Sequence, residues 1–124
     1  MANPSTGFGG AGTEVIRRSY IDNQGETEGT IITGVANHIM TVISIIVTDM
    51  VGLADNQFDI YIDYDLGGTD VWLLNRETTG HSGTFVFSDR FSITETDKLH
   101  IKGYSASSTA GFDVWCTYID QQLA

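Results

Sequence analysis

The sequence has one cysteine, one proline and six basic residues among its 124 residues. With Cys116 as the single cysteine, an internal disulfide is excluded, and a reducing compartment is adequate for the chain. No apolar run approaches the roughly 20 residues that span a bilayer, which excludes a transmembrane helix of the usual kind. Residues 1–12 have neither a basic region nor an apolar one, so we do not expect a signal peptide there.

The scarcity of basic residues leaves a formal net charge of −10, from 16 acidic and 6 basic residues. Proteins that hold nucleic acid by its phosphates need clustered Lys and Arg, so we expect neither nucleic acid nor a membrane among the partners. The hydrophobic content of 41% is that of a globular chain, with length enough for one core. We predict a flexible N-terminal arm over residues 1–12 and one folded domain over residues 13–124.

Apolar and polar residues alternate with a period of two along most of the chain, which is typical of β-strands. The alternation predicts strands at 14–21, 29–35, 38–47, 57–64, 70–75, 83–88, 98–104 and 111–119, joined by segments rich in turn residues. Residues 88–98 are expected to hold a short helical turn at most. About eight strands and 14 glycines predict an all-β fold, a jelly-roll-like β-sandwich, because several connections are too long for a simple meander.

Two of the predicted strands are apolar on both faces. In strand 38–47, strict alternation places the apolar residues of odd number on one face and those of even number on the opposite face. The first group is Ile39, Ile43, Ile45 and Val47, and the second is Met40, Val42 and Ile46. In strand 111–119 it separates Phe112, Val114, Cys116 and Tyr118 from Trp115 and Ile119. A sandwich covers one face of each sheet, so a loop, the arm or another subunit must cover the second. We predict a homo-oligomer interface with these candidates: Ile43, Ile45, Trp115, Ile119 and, in the arm, Phe8.

Four aspartates surround a Gly-Gly turn in the stretch 58–74, namely Asp59, Asp63, Asp65 and Asp70. Carboxylates this close can form a catalytic pair or ligate calcium. The spacing is not that of an EF-hand, and no feature of the sequence supplies the apolar cleft that raises a catalytic carboxyl pKa. We interpret them as the solvated face and turn of a hairpin, where Asp also discourages pairing between sheet edges.

The remaining reactive side chains form no recognisable constellation. His38, His81 and His100 lack the spacing of metal ligands, and no nucleophile-elbow motif occurs. Cys116 sits in mid-strand among apolar residues, as expected of an inert core thiol. Trp72, Trp115 and Tyr104 are candidates for a sugar-stacking platform, although aromatic residues on strands more often belong to a core or an interface. We predict no catalytic residues, no metal, no cofactor and no enzymatic activity.

Two longer stretches carry a resemblance to a known family. Residues 88–120 pass from a strand into the step Thr96, Asp97, Leu99 and Ile101, then into a Gly/Ser loop and an aromatic last strand. Residues 38–63 combine a long apolar strand, a polar crossover and an alternating strand. In spacing and polarity, residues 38–120 resemble the small β-sandwich capsid decoration, or cement, proteins of tailed bacteriophages.

The resemblance implies a non-enzymatic virion structural protein. Such a protein is made in the host cytoplasm, forms a homotrimer, and binds the major capsid protein on the outside of the phage head, which it stabilises. The alternative is a phage fibre or tail module, or a carbohydrate-binding β-sandwich, that recognises a surface glycan.

Overall fold

The computed structural model describes residues 13–50, 56–64, 69–79, 83–104 and 111–123. These residues form β-strands and no helix. The described part of the chain therefore contains no helix that could cross a membrane. The strands are β1 (Thr13–Gln24), β2 (Gly29–Thr33), β3 (His38–Asp49), β4 (Gln57–Tyr64), β5 (Thr69–Thr78), β6 (Thr84–Phe87), β7 (Phe91–Ile93), β8 (Lys98–Tyr104) and β9 (Phe112–Gln122). The prediction of an all-β chain is confirmed; the predicted arm, residues 1–12, lies outside the described residues.

The strands pair into two antiparallel sheets. Sheet A has the order β1-β9-β3-β6, with β7 also paired to β3, and sheet B has the order β2-β8-β4-β5. Strand β7 pairs with the first part of β3 and β6 with the last part, so these two short strands share one edge position. The chain passes back and forth between two sheets with four strand positions each, and only the neighbours β4–β5 and β6–β7 stay within one sheet. This is the arrangement of a jelly roll and confirms the predicted fold class.

The core lies between the inner faces of the two sheets. At its centre the ring of Phe58 makes edge contacts with Phe112 and Phe85, at centroid distances of 5.4 and 5.7 Å. Leu99 and Ile101, which the sequence places in the penultimate strand, are fully buried beside them. Burying a side chain of this size stabilises the fold by about 1.5–3 kcal/mol relative to leaving it in water.

Strand β3 changes its inward-facing set at Ile43. Val42 lies opposite Tyr118 and Ser44 opposite Thr117, so Ile43 is an extra residue, a β-bulge. The inward residues are therefore Met40 and Val42 before the bulge, and Ile45 and Val47 after it. The predicted division of this strand is wrong because strict alternation fails at a bulge.

Residues 88–98 contain no helix, within the limit of one short turn that the sequence predicts. This stretch contains the short strand β7 and a tight turn that leads into β8. The carboxylate of Asp97 accepts hydrogen bonds from the backbone N–H and the hydroxyl of Thr94, at 3.0 and 3.1 Å. The backbone of Gly34 packs against this turn so closely that a Cβ there would meet the carbonyl oxygen of Thr94 at 2.0 Å. Asp97 is thus a turn-forming residue before the penultimate strand.

Candidate functional site

The outer face of sheet A carries a continuous row of apolar side chains. Tyr20 lies opposite Trp115, Trp115 opposite Ile46, and Ile46 opposite Val86, so the row crosses β1, β9, β3 and β6. Ile16 and Ile119 form a second pair beside it. We call these six residues the apolar face: Ile16, Tyr20, Ile46, Val86, Trp115 and Ile119.

Several side chains of the apolar face are largely in contact with solvent. Tyr20 is 70% exposed, Ile16 58% and Val86 56%, while Trp115 is 43% exposed. The rings of Tyr20 and Trp115 stack across the two strands with centroids 6.1 Å apart and an interplanar angle of 22°. Exposed apolar residues scattered singly need no explanation, but a contiguous group on one sheet face is typical of an interaction site.

The predicted interface residues differ in how far the structure exposes them. Trp115 and Ile119 point outward on β9, as predicted, and Ile43 is half-buried at the bulge. Ile45 is fully buried in the core of the chain itself, because the bulge turns it inward, so the folded surface does not offer its side chain. Phe8 lies outside the described residues.

A shallow pocket of about 180 Å³ opens at one end of the apolar face. Tyr20, Ile46 and Trp115 form its apolar wall, and Asp22, Thr48 and Asp113 bring polar atoms to it. The carboxylate of Asp113 accepts a hydrogen bond from the backbone N–H of Asn23 at 3.0 Å, which fixes its position at the rim. Aromatic rings beside fixed carboxylates are suited to a ligand with both apolar and hydroxylated surfaces.

The predicted sugar-stacking platform does not form as a unit. Trp115 lies on sheet A, whereas Trp72 and Tyr104 lie on strands of sheet B. The ring of Trp72 packs on Tyr61 with centroids 4.4 Å apart, and the guanidinium of Arg76 lies 3.4 Å from the centroid of the Tyr104 ring. The aromatic side chains of sheet B therefore contact their own neighbours.

The outer face of β4 is covered by side chains, which corrects the interpretation of a solvated hairpin face. Asp59 and Tyr61 point outward as predicted, yet they are only 1% and 3% exposed. The carboxylate of Asp59 accepts a hydrogen bond from the backbone N–H of Arg76 at 2.6 Å. Alternation in the sequence predicts which way a side chain points, but not whether neighbouring side chains bury it. Here Trp72 and Arg76 bury Tyr61 and Asp59.

His100, Tyr61, Glu28 and Asp63 form a polar cluster on the same face of sheet B. The Nε2 atom of His100 lies 3.7 Å from Glu28 and 3.8 Å from Asp63, while its Nδ1 is 3.1 Å from the Thr30 hydroxyl. The Tyr61 hydroxyl donates a hydrogen bond to Glu28. Burial, and then the hydrogen bond with Glu28, raise the pKa of Tyr61, so the hydroxyl keeps its proton and acts as a donor.

The described residues do not form a calcium site around the Gly-Gly turn. Asp63 lies directly opposite Asp70 on the neighbouring strand, and Asp65 falls outside the described part of the chain. Within that part, no group of three or more His, Cys, Asp or Glu side chains is arranged to hold a metal ion. His81 also lies outside it.

A second polar group, which the sequence does not reveal, joins the first and last strands, β1 and β9, to β3 around the buried Asp120. The carboxylate of Asp120 accepts hydrogen bonds from Arg17 Nε at 2.7 Å and from His38 Nδ1 at 2.6 Å. Burial is the largest influence on the Asp120 pKa and opposes ionisation, but the bonds and charges of His38 and Arg17 together hold that pKa below its usual value. The three residues are far apart in sequence, so only strand pairing reveals the contact.

Cys116 occupies the centre of the inner face of β9. Its side chain is fully buried, and burial raises the pKa of its thiol to about 12. A thiol with such a pKa carries almost no thiolate at neutral pH, which is the reactive form. The interpretation of Cys116 as a core thiol is confirmed.

No protein-family model matches the sequence, and neither does any curated protein. Among solved structures, a mutant VP2 protein of infectious bursal disease virus in T=1 particles aligns with a TM-score of 0.56 and 12% identity, over 89% of this chain and 32% of that one. A VP2 subviral particle of the same virus gives 0.53 and 12%, over 89% and 33%. A pentameric capsid protein from metagenomic phage sequences gives 0.45 and 19%, over 85% and 60%.

These structural neighbours are viral capsid proteins that contain a β-sandwich. This chain spans about a third of the length of the VP2 chains that it matches. At identities of 12% the two VP2 alignments show a shared fold and nothing finer.

Proposed function

We propose that the chain is a non-enzymatic structural protein of a virion that binds the outside of a phage head and stabilises it. The observation that carries the proposal is the apolar face of sheet A, on which Tyr20, Trp115 and Val86 are exposed in one row. A surface of this kind requires a partner, and the fold is one that viral capsid proteins also use. A decoration protein needs a compact sandwich and interfaces, but no reaction centre.

Self-association is the first step of this function. The apolar face is centred on Trp115, and aromatic residues are enriched where protein surfaces meet. Copies that bury Trp115 and Ile119 against one another remove these side chains from water, which offsets the entropy of association. We propose a homotrimer, as the resemblance to decoration proteins implies, with the major capsid protein as the second partner.

The charge of the chain favours an external position. A net charge of −10 repels the phosphates of a packaged genome, so contact with the outer surface of the shell is the more favourable arrangement. Acidic side chains also keep a protein soluble while it accumulates in the host cytoplasm before assembly. The arm, residues 1–12, is the segment we propose to contact the shell beyond the domain itself.

Stabilisation of the head follows from mass action. A copy that binds only the assembled shell lowers its free energy by RT ln(1 + [L]/Kd), about 2.7 kcal/mol at a concentration one hundred times Kd. Because a head offers many equivalent sites, modest affinity at each site gives a large total effect.

A binding experiment tests this proposal. Heads that lack the protein are mixed with purified wild-type chain, sedimented, and imaged by electron cryomicroscopy. We expect the chain to cosediment with heads and to appear as regular external density. A variant with residues 1–12 deleted should stay folded and bind less. Failure of the wild-type chain to cosediment, or density inside the shell, would contradict the proposal.

A second candidate function is glycan recognition, which the pocket beside Trp115 favours. The stacked rings of Tyr20 and Trp115 offer apolar surface for the C–H face of a sugar, and Asp22 and Asp113 offer acceptors for its hydroxyl groups. Titration of isolated chain with host-surface polysaccharide, followed by calorimetry, tests this function. Binding that Trp115→Ala abolishes and Trp72→Ala preserves would replace the cement proposal by a receptor-binding role.

A further inference from the structure

The free edges of the two sheets differ in how they are protected. The β6–β7 edge of sheet A is broken into two short strands, and β2, at one edge of sheet B, has only 5 residues and a register shift. At the other edge of sheet B, β5 has two register shifts against β4, and Arg76 adopts a positive φ of 56°. Short edge strands and bulges are the devices by which proteins prevent edge-to-edge pairing.

Strand β1 has neither device over most of its length. It runs for 12 residues from Thr13 to Gln24, and its register with β9 is unbroken as far as Ile21. Among the described residues, β9 is the one strand that pairs with β1, so the other edge of β1 has no partner strand. A long, regular, partly apolar edge of this kind is a template for another strand.

The accessible part of this edge is its first half. Near Ser19 the edge approaches β2, since the Ser19 hydroxyl donates a hydrogen bond to the carbonyl of Ile31 at 2.6 Å. Beyond it the strand becomes irregular, with a register shift between Ile21 and Gln24 and a positive φ of 59° at Asn23. A partner strand therefore has the stretch from Thr13 to Ser19 available, and Ile16 is the middle residue of this stretch.

We infer that β1 pairs with β1 of a second copy, antiparallel, about a twofold axis at Ile16. This register places Ile16 against the Ile16 of the other copy on the outer face, where the side chain is 58% exposed in the single chain. It also places Glu14 opposite Arg18 on the same face, and the twofold axis repeats this ion pair. Opposite charges directly across a strand pair stabilise it, and like charges destabilise it.

Neighbouring registers lack this complementarity. A twofold axis at Arg18 sets Arg18 against its own copy and Glu14 against Asp22, which gives like charges at every charged position of the outer face. It also extends the pairing into the irregular stretch that follows Ile21. The charge pattern and the strand geometry therefore favour the same register, and the second copy is the occupant that the charges fit.

This inference deepens the proposed self-association and rests on it. A twofold contact joins copies in pairs and is isologous, so it differs in symmetry from a threefold contact through the apolar face. The two contacts meet at Ile16, which lies at the β1 end of the apolar face. Together the two contacts link trimers into a continuous layer, in which sheet A of one copy extends into sheet A of the next.

Disulfide trapping on the isolated chain tests the register. In the inferred pairing Ile16→Cys faces its own copy at cross-strand distance, within reach of a disulfide. Arg18→Cys faces position 14, so two copies of this cysteine lie about 13 Å apart along the strands and cannot bridge. Wild type is the control, because its thiol at Cys116 is fully buried. We expect Ile16→Cys to form a covalent dimer on mild oxidation, and Arg18→Cys and wild type to remain single chains.

Charge exchange provides an independent measurement. Glu14→Arg and Arg18→Glu each turn two ion pairs into two like-charge pairs, which should raise the Kd of the twofold dimer about tenfold in sedimentation velocity. The double variant should recover most of the loss. Covalent dimers from Arg18→Cys rather than Ile16→Cys would overturn the register. Absence of dimers from both variants, or failure of the double exchange to recover association, would overturn self-pairing of β1 and leave the arm or a shell protein as the occupant. Because these measurements use free chain, their failure is distinguishable from failure to bind heads.

Discussion

The carboxylate of Asp59 accepts a hydrogen bond from the backbone N–H of Arg76 at 2.6 Å. Asp59 lies on the outer face of β4, and Arg76 occupies the irregular part of β5 with a positive φ of 56°. The Arg76 guanidinium then extends over the ring of Tyr104. An outward carboxylate that is 1% exposed therefore fixes the backbone of the edge strand of sheet B.

Asp59→Ala is expected to destabilise the fold. The substitution removes the hydrogen bond from the Arg76 N–H to a carboxylate, and hydrogen bonds to charged groups contribute about 1.5–3 kcal/mol. The free energy of unfolding in urea measures the loss. Asp70→Ala is the matched control, because Asp70 is exposed on the neighbouring strand and should change stability by less than about 0.5 kcal/mol. Equal effects of the two substitutions would contradict a structural role for Asp59.

The ion pairs of Asp120 predict a dependence of stability on pH. Since the pKa of Asp120 is lower in the folded chain than in the unfolded one, its contribution is fully present above the unfolded value of about 3.9. The contribution is lost as the pH falls through the lower, folded value. Asp120→Asn should therefore reduce the free energy of unfolding at neutral pH by about 1.5–3 kcal/mol, the range for hydrogen bonds to charged groups.

The difference between Asp120→Asn and wild type should shrink as the pH falls below about 4. Urea unfolding at a series of pH values measures it, with Asp22→Asn as the control at an exposed position. A difference that stays constant down to the lowest pH would show that the charge of Asp120 has no part in stability.

Ile43 and Ile45 are expected to differ sharply when each is shortened to alanine. Ile45 is fully buried, so Ile45→Ala removes packed atoms and leaves a cavity, at a cost of about 2–5 kcal/mol. Ile43→Ala should cost less, because the bulge leaves this residue half-buried. Thermal unfolding monitored by circular dichroism compares them. A larger loss at Ile43 would indicate that β3 keeps strict alternation.

Trp115 and Trp72 form a matched pair for testing the oligomer interface. Their side chains are 43% and 48% exposed, on sheets A and B respectively. Trp115→Glu should dissociate the oligomer, because it removes the central apolar side chain and requires a carboxylate to lose its water in the contact. Trp72→Glu should leave the oligomer intact. Native mass spectrometry at micromolar concentration gives the result, and a monomeric wild type would contradict self-association in solution.

The alternation of the sequence predicted most of the fold. Strands such as 57–64 and 98–104 are predicted with the bounds that the structure gives, because local alternation and turn residues determine them. The division of β9 into an inner face with Cys116 and an outer face with Trp115 is likewise local. The predicted faces of β3 are wrong because they assume strict alternation along the whole strand. A bulge at Ile43 cannot be recognised within a run of apolar residues.

The candidate site was predictable only in part. Trp115 and Ile119 were identified because they lie on the second apolar face of one strand. Tyr20 and Val86 belong to the same surface, but they come from distant strands, and only the sheet order brings them into the row. For the same reason the contact of Asp120 with Arg17, separated by 103 positions, has no local signal. The predicted exposure of Asp59 to solvent is also wrong, because side chains of β5 bury this residue.

Stabilisation of the head by the chain can be measured as the temperature at which virions release their genome. Virions with the chain, virions without it, and deficient virions to which purified chain is added back are heated in the presence of a nucleic-acid dye. We predict a lower release temperature for the deficient virions and recovery of the wild-type value after addition of the chain. Equal release temperatures for all three preparations would contradict a stabilising role on the head.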